Sequence, residues 1–252
     1  MKSATPLYKG FMLLIVIIAF AVLNSCAEKL AGSSDMNGGG GQTTGEMQLI
    51  YFWMFDGNLP NNTELQTIDA TFPSNPSALI SFESALSGYP NTARRASMER
   101  RNSPTSINYR SSANGNIPYE ESDMRGIQVK QPFTGDNGEN TMIFHIPMQN
   151  LANPVLAFAA KDEGTGTEAL LIDYAINEGT PQWITTDLAP SERRLDLKSE
   201  YALLQVRFAG IDEVADNPNF RVRLRFDVAN GDAETGDRVT FNNVSVEAEP
   251  LM

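Results

Sequence analysis

The chain has 252 residues, 41% hydrophobic, 20% charged and 9% aromatic, a composition that excludes wholesale disorder and leaves room for one large β domain or two small ones. Nineteen basic against 31 acidic side chains give a net charge of −12, which disfavours a general binder of nucleic-acid backbones. A single cysteine excludes an intramolecular disulfide, and a single histidine excludes a His-rich metal cage.

Residues 1–25 have the layout of a secretory signal. Lys2 and Lys9 precede an unbroken apolar run from Phe11 to Leu23. That run is too short to span a bilayer comfortably, which takes about 20 residues, and suits a signal peptide. It ends in Leu23-Asn24-Ser25-Cys26, which resembles the bacterial lipobox, where cleavage precedes a diacylglyceryl-modified cysteine. One acyl chain holds weakly and two or three hold firmly, since each buried CH₂ adds roughly 0.8 kcal/mol. The expected partner is therefore a lipid bilayer, reached through acylated Cys26. Cleavage removes two lysines and no acid, moving the charge from −12 to −14. Ala27 lacks the acid that resembles an inner-membrane retention signal, so the expected location is the outer membrane, on its periplasmic or cell-surface side.

Residues 26–47 hold the modified cysteine and a tether rich in Gly, Ser and Thr, with the run Gly38 to Gly41 at its centre. Such a flexible chain spans on the order of 25 Å. It would lift residues 48–252 clear of the lipid.

From Gln48 onward, short β-type runs alternate with turn residues. The expected strands are Leu49–Phe55, Ala78–Phe82, Gly126–Val129, Thr141–Ile146, Val155–Ala160, Ala169–Ile176, Leu203–Phe208, Phe220–Val228 and Arg238–Val246. The one helical stretch expected is Thr92–Arg101. The clearest alternation runs from Phe220 to Val228, with Phe220, Val222, Leu224, Phe226 and Val228 on one face and Arg221, Arg223 and Arg225 on the other. The three arginines are expected to pair across strands with Glu247 and Glu249. The pattern as a whole specifies an all-β fold, an antiparallel β-sandwich occupying 48–252 as one domain.

The stretches FDGNLPNNTELQTIDATF, RGIQVKQPF, LIDYAINEGTPQWI, FAGIDEVADNPNFRVRLRFD and GDRVTFNNVSVEA resemble the jelly-roll domains of Bacteroidetes-type secreted and surface lipoproteins. They are close to the choice-of-anchor and cleaved-adhesin groups, and similar to carbohydrate-binding-module sandwiches. The resemblance covers most of 48–252, with 84–123 the loosest part. It implies a jelly-roll and an accessory or adhesive role. It also implies a structural calcium where the first and last strands meet, with Asp56, Asn58 and Asn242 or Asn243 as candidate oxygen ligands. The bland alternative is that these residues form only turns and a bulge.

Nothing spells out a reaction. His145 has neither a G-x-S-x-G serine nor a cysteine partner, and reads as structural. Asp162-Glu163 and Asp232 to Asp237 lie among glycines and read as solvated loops rather than a glycosidase pair. The irregular segment 84–125 carries Arg94, Arg95, Arg100, Arg101 and Tyr109, suited to acidic groups and sugar rings. Trp183 follows a turn and is a second stacking candidate, whereas Trp53 belongs in the core. The expected function is a lipid-anchored, non-catalytic module binding glycan or surface polymer. A structural or adhesive envelope protein without a small ligand is the alternative, and an anchored glycoside hydrolase the third choice.

Overall fold

The computed structural model describes residues 44–73, 77–164, 166–228 and 236–252. Cys26, the signal, most of the tether and Asp232 lie outside the described residues.

The strands are β1 (Gln48–Trp53), β2 (Thr67–Asp69), β3 (Leu79–Glu83), β4 (Met98–Arg101), β5 (Gly126–Lys130), β6 (Thr134–Gly135), β7 (Gly138–Glu139), β8 (Thr141–His145), β9 (Leu151–Asp162), β10 (Thr167–Ala175), β11 (Arg194–Asp196), β12 (Ala202–Arg207), β13 (Arg221–Val228) and β14 (Arg238–Pro250). One short helix, α1 (Pro190–Arg193), precedes β11. Every expected strand is present. The expected helix at Thr92–Arg101 is instead a series of turns running into β4, because Met98 and Glu99 pair with β5 and leave no run for helical hydrogen bonds. Backbone pairing begins upstream of Gln48, where Thr44 bridges Leu251 and Gly45 N donates to Pro250 O at 2.8 Å.

Two antiparallel sheets form a jelly-roll sandwich. The first runs β12-β9-β14-β5-β4, with β1 also on β14; the second runs β11-β10-β13-β8-β3-β2. The chain passes repeatedly from one sheet to the other, so the buried faces of both are stitched into a single core. Its axis is a file of rings: Trp53 against Phe144 (6.2 Å between centroids), Phe144 against Phe158 (6.4 Å), Phe158 against Phe241 (5.8 Å) and Phe241 against Phe226 (6.3 Å). Trp53 is fully buried, and its indole N–H donates to Ile68 O at 3.1 Å, satisfying the one polar atom it brings inside.

β14 is buried on both faces. Val239, Phe241, Val244 and Val246 point into the core, while Thr240, Asn242 and Ser245 point outward yet are fully covered. Thr240 lies beneath Glu163, and the loop 102–118 covers Asn242 and Ser245. Asn108 Nδ2 donates to Ala157 O (3.1 Å) and Ser245 Oγ (3.0 Å), and Asn243 Nδ2 donates to Thr105 O (2.7 Å) and Ile107 O (2.9 Å). Asn243 sits at a register shift with φ of 44°, a conformation asparagine tolerates better than most residues. Small Ala157 on the facing strand leaves room for the loop. Most of the irregular segment is therefore strapped to the first sheet. Among the described residues no helix is long and apolar enough to cross a membrane.

Candidate functional site

The outer face of the first sheet carries a row set by strand register: Glu99 on β4 faces Gln128 on β5, which faces Thr240 on β14, which faces Lys161 on β9. Two-residue periodicity then puts Arg101, Lys130 and Arg238 on the same face. Arg100, one residue out of phase, turns the other way and donates to Gly57 O (3.0 Å) and Leu59 O (2.8 Å), where it fixes a loop.

Two carboxylates organise the row. Glu99 is completely buried and receives Arg94 (2.7 Å), Lys130 (3.0 Å) and the Ser97 hydroxyl (2.8 Å). Burial pushes its carboxyl up, but the bonds from Arg94, Lys130 and Ser97 outweigh burial and hold it below the usual carboxylate range. Glu163 receives Arg101 (2.7 Å), Lys161 (3.2 Å) and the Thr240 hydroxyl (3.0 Å), with Arg238 Nε 3.7 Å away. Here too the bonds to Arg101 and Thr240 overcome burial, and the net shift is downward. The layers are distinct. The side chains of Arg94 and Arg101 are 43% and 36% exposed, whereas those of Glu99 and Glu163 are 0% and 17% exposed. A molecule approaching from solvent meets cations first.

Arg94, Arg95, Lys130, Gln131, Asp237 and Arg238 line an open cleft of about 400 Å³ at one end of this row. The Nε–H groups of Arg101 and Arg238 are buried and make no hydrogen bond. At the other end, Lys161 Nζ lies 4.8 Å from the centre of the Tyr201 ring. The Tyr201 hydroxyl donates to Ser103 O at 2.6 Å.

The reading of Asp162-Glu163 and Asp237 as solvated loops is corrected. Asp162 ends β9, Glu163 joins the ion pairs above, and Asp237 is 7% exposed. A Cβ at Gly164 or Gly166 would overlap the Asp237 carboxylate, so these glycines make space for a side chain rather than marking a free loop. Asp162 Oδ1 is buried without a hydrogen bond. Burial, then the negative charges of Asp237 and Glu163, push its carboxyl up to about 6.

The sequence candidates thus part company. Arg94, Arg95 and Arg101 lie on the cationic band; Arg100 does not. Tyr109 packs edge-on to Phe52 (6.5 Å) and Tyr119 (5.5 Å), and its hydroxyl donates to Ile117 O, so it holds the covering loop together. Trp183 belongs to the other sheet, where its ring lies 4.4 Å from the Arg223 guanidinium. Lys130, which pairs with Glu99, and Lys161 and Arg238, which gather at Glu163, do not stand out in the sequence. Gln128-Val129-Lys130 and Arg238-Val239-Thr240 alternate visibly, but only the strand order places them side by side.

The expected pairing of Arg221, Arg223 and Arg225 with Glu247 and Glu249 is overturned, because β13 and β14 lie in different sheets. Arg223 makes a two-pronged pair with Asp173 on neighbouring β10 (2.7 and 2.6 Å), Arg225 Nε joins the same carboxylate at 3.2 Å, and Arg221 donates to the carbonyls of Asn177 and Gly179. Glu247 instead meets Arg110 at 2.7 Å, and Glu249 accepts from Asn153.

The calcium candidates fall into two hydrogen-bonded groups. Asp56 accepts from the backbone and side-chain nitrogens of Asn58 (2.8 and 2.9 Å). Asn242 donates through Nδ2 to Ser103 O at 3.1 Å, and Asn243 to the two carbonyls given above. Asn242 and Asn243 turn their amide nitrogens to those carbonyls, and their Oδ1 atoms are buried without a hydrogen bond. Among the described residues no group of three or more His, Cys, Asp or Glu is placed to hold a metal. His145 Nε2 lies 2.9 Å from Ser81 Oγ. Burial, then the positive charge of Arg221, holds its ring below the usual histidine range.

No family model matches the chain, and no curated protein matches its sequence. Among solved structures it is similar to the K1 cleaved adhesin domain of Lys-gingipain from Porphyromonas gingivalis W83, at 11% identity and TM-score 0.38 over 80% of this chain and 98% of that one. It is also similar to the CBM22-1 xylan-binding domain of Paenibacillus barcinonensis Xyn10C, at 8% identity and TM-score 0.34 over 52% and 76%. A third is the N-terminal cellulose-binding domain of Cellulomonas fimi β-1,4-glucanase C, at 13% identity and TM-score 0.32 over 50% and 80%. At such low identities and scores, the fold of this chain rests on its own strand pairing.

Proposed function

We propose that the chain is a lipid-anchored, non-catalytic module of the cell envelope that binds glycan or surface polymer. The observation that carries this reading is the open cleft of about 400 Å³ bounded by Arg94, Lys130 and Arg238, with hydrogen-bonding side chains fixed on paired strands. A rigid sheet that presents convergent polar groups at an open surface suits an extended polymer better than an enclosed small molecule. The ion pairs around Glu99 and Glu163 hold these groups in place before a ligand arrives, which lowers the entropy lost on binding. Acylation at Cys26 and the tether after it would present the module away from the bilayer, at the outer membrane.

Two experiments test the reading. Affinity electrophoresis of the full chain in non-ionic detergent through gels containing neutral and acidic polysaccharides is expected to show retardation by at least one polymer. Passage unretarded by every polymer overturns the binding function. Separately, labelled palmitate is expected to enter the wild type and not Cys26→Ser, and the variant is expected to leave the membrane fraction. An unlabelled wild type overturns the anchor alone.

A further inference from the structure

We infer that the polymer is a polyanion, a polysaccharide bearing carboxylate or sulfate groups, and that it lies along the whole cationic band from Arg95 to Lys161 rather than in the cleft alone. This rests on the glycan-binding reading above and names its ligand class.

The first support is the layering. The band holds six cations, Arg94, Arg95, Arg101, Lys130, Lys161 and Arg238, against four carboxylates, Glu99, Glu163, Asp162 and Asp237, and its most exposed ion-paired members are the guanidiniums of Arg94 and Arg101. This occurs in a chain whose net charge is −12, so the band is a local reversal of sign rather than a sample of the general surface. Such a reversal attracts anionic chains and is screened by salt.

The second support is the guanidinium surface left to solvent. The side chains of Arg94 and Arg101 are 43% and 36% exposed, and a carboxylate or sulfate oxygen is the acceptor a guanidinium binds best. The third support separates a sugar chain from other polyanions. The Tyr201 ring beside Lys161 supplies an aromatic surface at the far end of the band, the kind of surface on which a sugar ring stacks.

The test uses the same gels, with polygalacturonate as the carboxylated probe, dextran sulfate as the sulfated probe, and neutral dextran and xylan beside them. The wild type is expected to be retarded by at least one acidic polymer, with affinity at least tenfold weaker in 500 mM than in 50 mM NaCl. The two acidic arms distinguish carboxylate from sulfate. Arg95→Gln combined with Lys161→Gln is the informative variant, because Arg95 is exposed and Glu163 keeps Arg101 after the change. Its dissociation constant is expected to rise about tenfold, with an unchanged melting temperature showing that it folds. If the double variant melts early, Arg95→Gln alone is read, with a threefold rise expected. Retardation by neutral dextran or xylan only overturns the polyanion while sparing the glycan-binding function; no retardation by any polymer overturns both. Acidic binding that ignores the variants overturns the band as its site. Equal retardation by double-stranded DNA overturns it too, since the face would then read charge without sugar.

Discussion

The two outer faces of the sandwich use arginine in opposite ways. On the second sheet, Arg223 and Arg225 close on Asp173, whose side chain is only 4% exposed, and Trp183 caps Arg223 from above. Asp173 takes the edge of the Arg223 guanidinium and Trp183 one of its faces. On the first sheet, Glu99 and Glu163 also gather two or more cations each, but Arg94 and Arg101 among them reach water. The same residue types therefore give a closed structural knot on one side and an open charged surface on the other. What separates them is exposure: the side chains of Arg223 and Arg225 are 20% and 25% exposed, with Trp183 over the first, whereas those of Arg94 and Arg101 are 43% and 36% exposed.

The sharpest way to break this contrast is Asp173→Asn. It leaves two guanidinium groups beside a nearly buried amide, and removing one partner from a buried ion pair costs about 3–5 kcal/mol. For a body of this size that is a fall in melting temperature of roughly 10 °C. Polymer retardation at temperatures below the melt is expected to be unchanged, since Asp173 is on the other sheet. A fall of less than about 2 °C, read by differential scanning calorimetry, would mean that the second face is not a knot.

A second test concerns the loop that covers the first sheet beside the band. Asn243 is fully buried and uses both amide hydrogens on Thr105 O and Ile107 O. Asn243→Asp would aim a carboxylate at two carbonyls, losing two hydrogen bonds and burying a charge, at a cost of about 3 kcal/mol. Millimolar calcium is expected to restore part of the lost melting temperature in the variant, because a cation placed between these oxygens replaces the missing donors. EDTA is expected to leave the wild type unchanged. A variant that melts like the wild type would show that this amide does not tie the loop down.

Much of the sandwich is legible in the sequence, for physical reasons that also mark the limit. Phe220 to Val228 alternates so regularly that its buried and outward residues can be assigned by inspection, and they are as read. The partner of that strand cannot be so assigned. Register across strands comes from long-range packing, so Glu247 looked as available to the arginines as Asp173, which lies 50 residues away in the chain from Arg223. A four-residue strand such as Met98–Arg101 has too little pattern to compete with a helical reading. Gly164 and Gly166 resemble a loose loop in the sequence, and only the fold shows the Asp237 carboxylate they accommodate. Arg94, Arg95 and Arg101 were found by their chemistry. Lys130, Lys161 and Arg238, which complete the band, lie on three strands far apart in the sequence and become neighbours only through sheet order.

The smallest expected effect sharpens the comparison through pH. Burial and the neighbouring charges of Asp237 and Glu163 push the Asp162 carboxyl up to about 6, against about 3.9 in an unfolded chain. Between those values the folded chain holds a proton that the unfolded chain has already released. Stability contributed by this group is therefore greatest below about pH 4, falls as pH rises to 6, and stays low above it. Glu99 and Glu163 are shifted the opposite way, so their contribution is present at neutral pH and lost only in more acidic solution. Asp162→Asn removes the first dependence and leaves the second. The variant is expected to melt about 2–4 °C higher than the wild type at pH 7.5, the shift that ~1 kcal/mol produces in a body of this size, and to converge with it near pH 4. A constant difference across that range would mean that Asp162 is ionised throughout, and that the carboxylates beneath the band do not crowd one another enough to bind a proton.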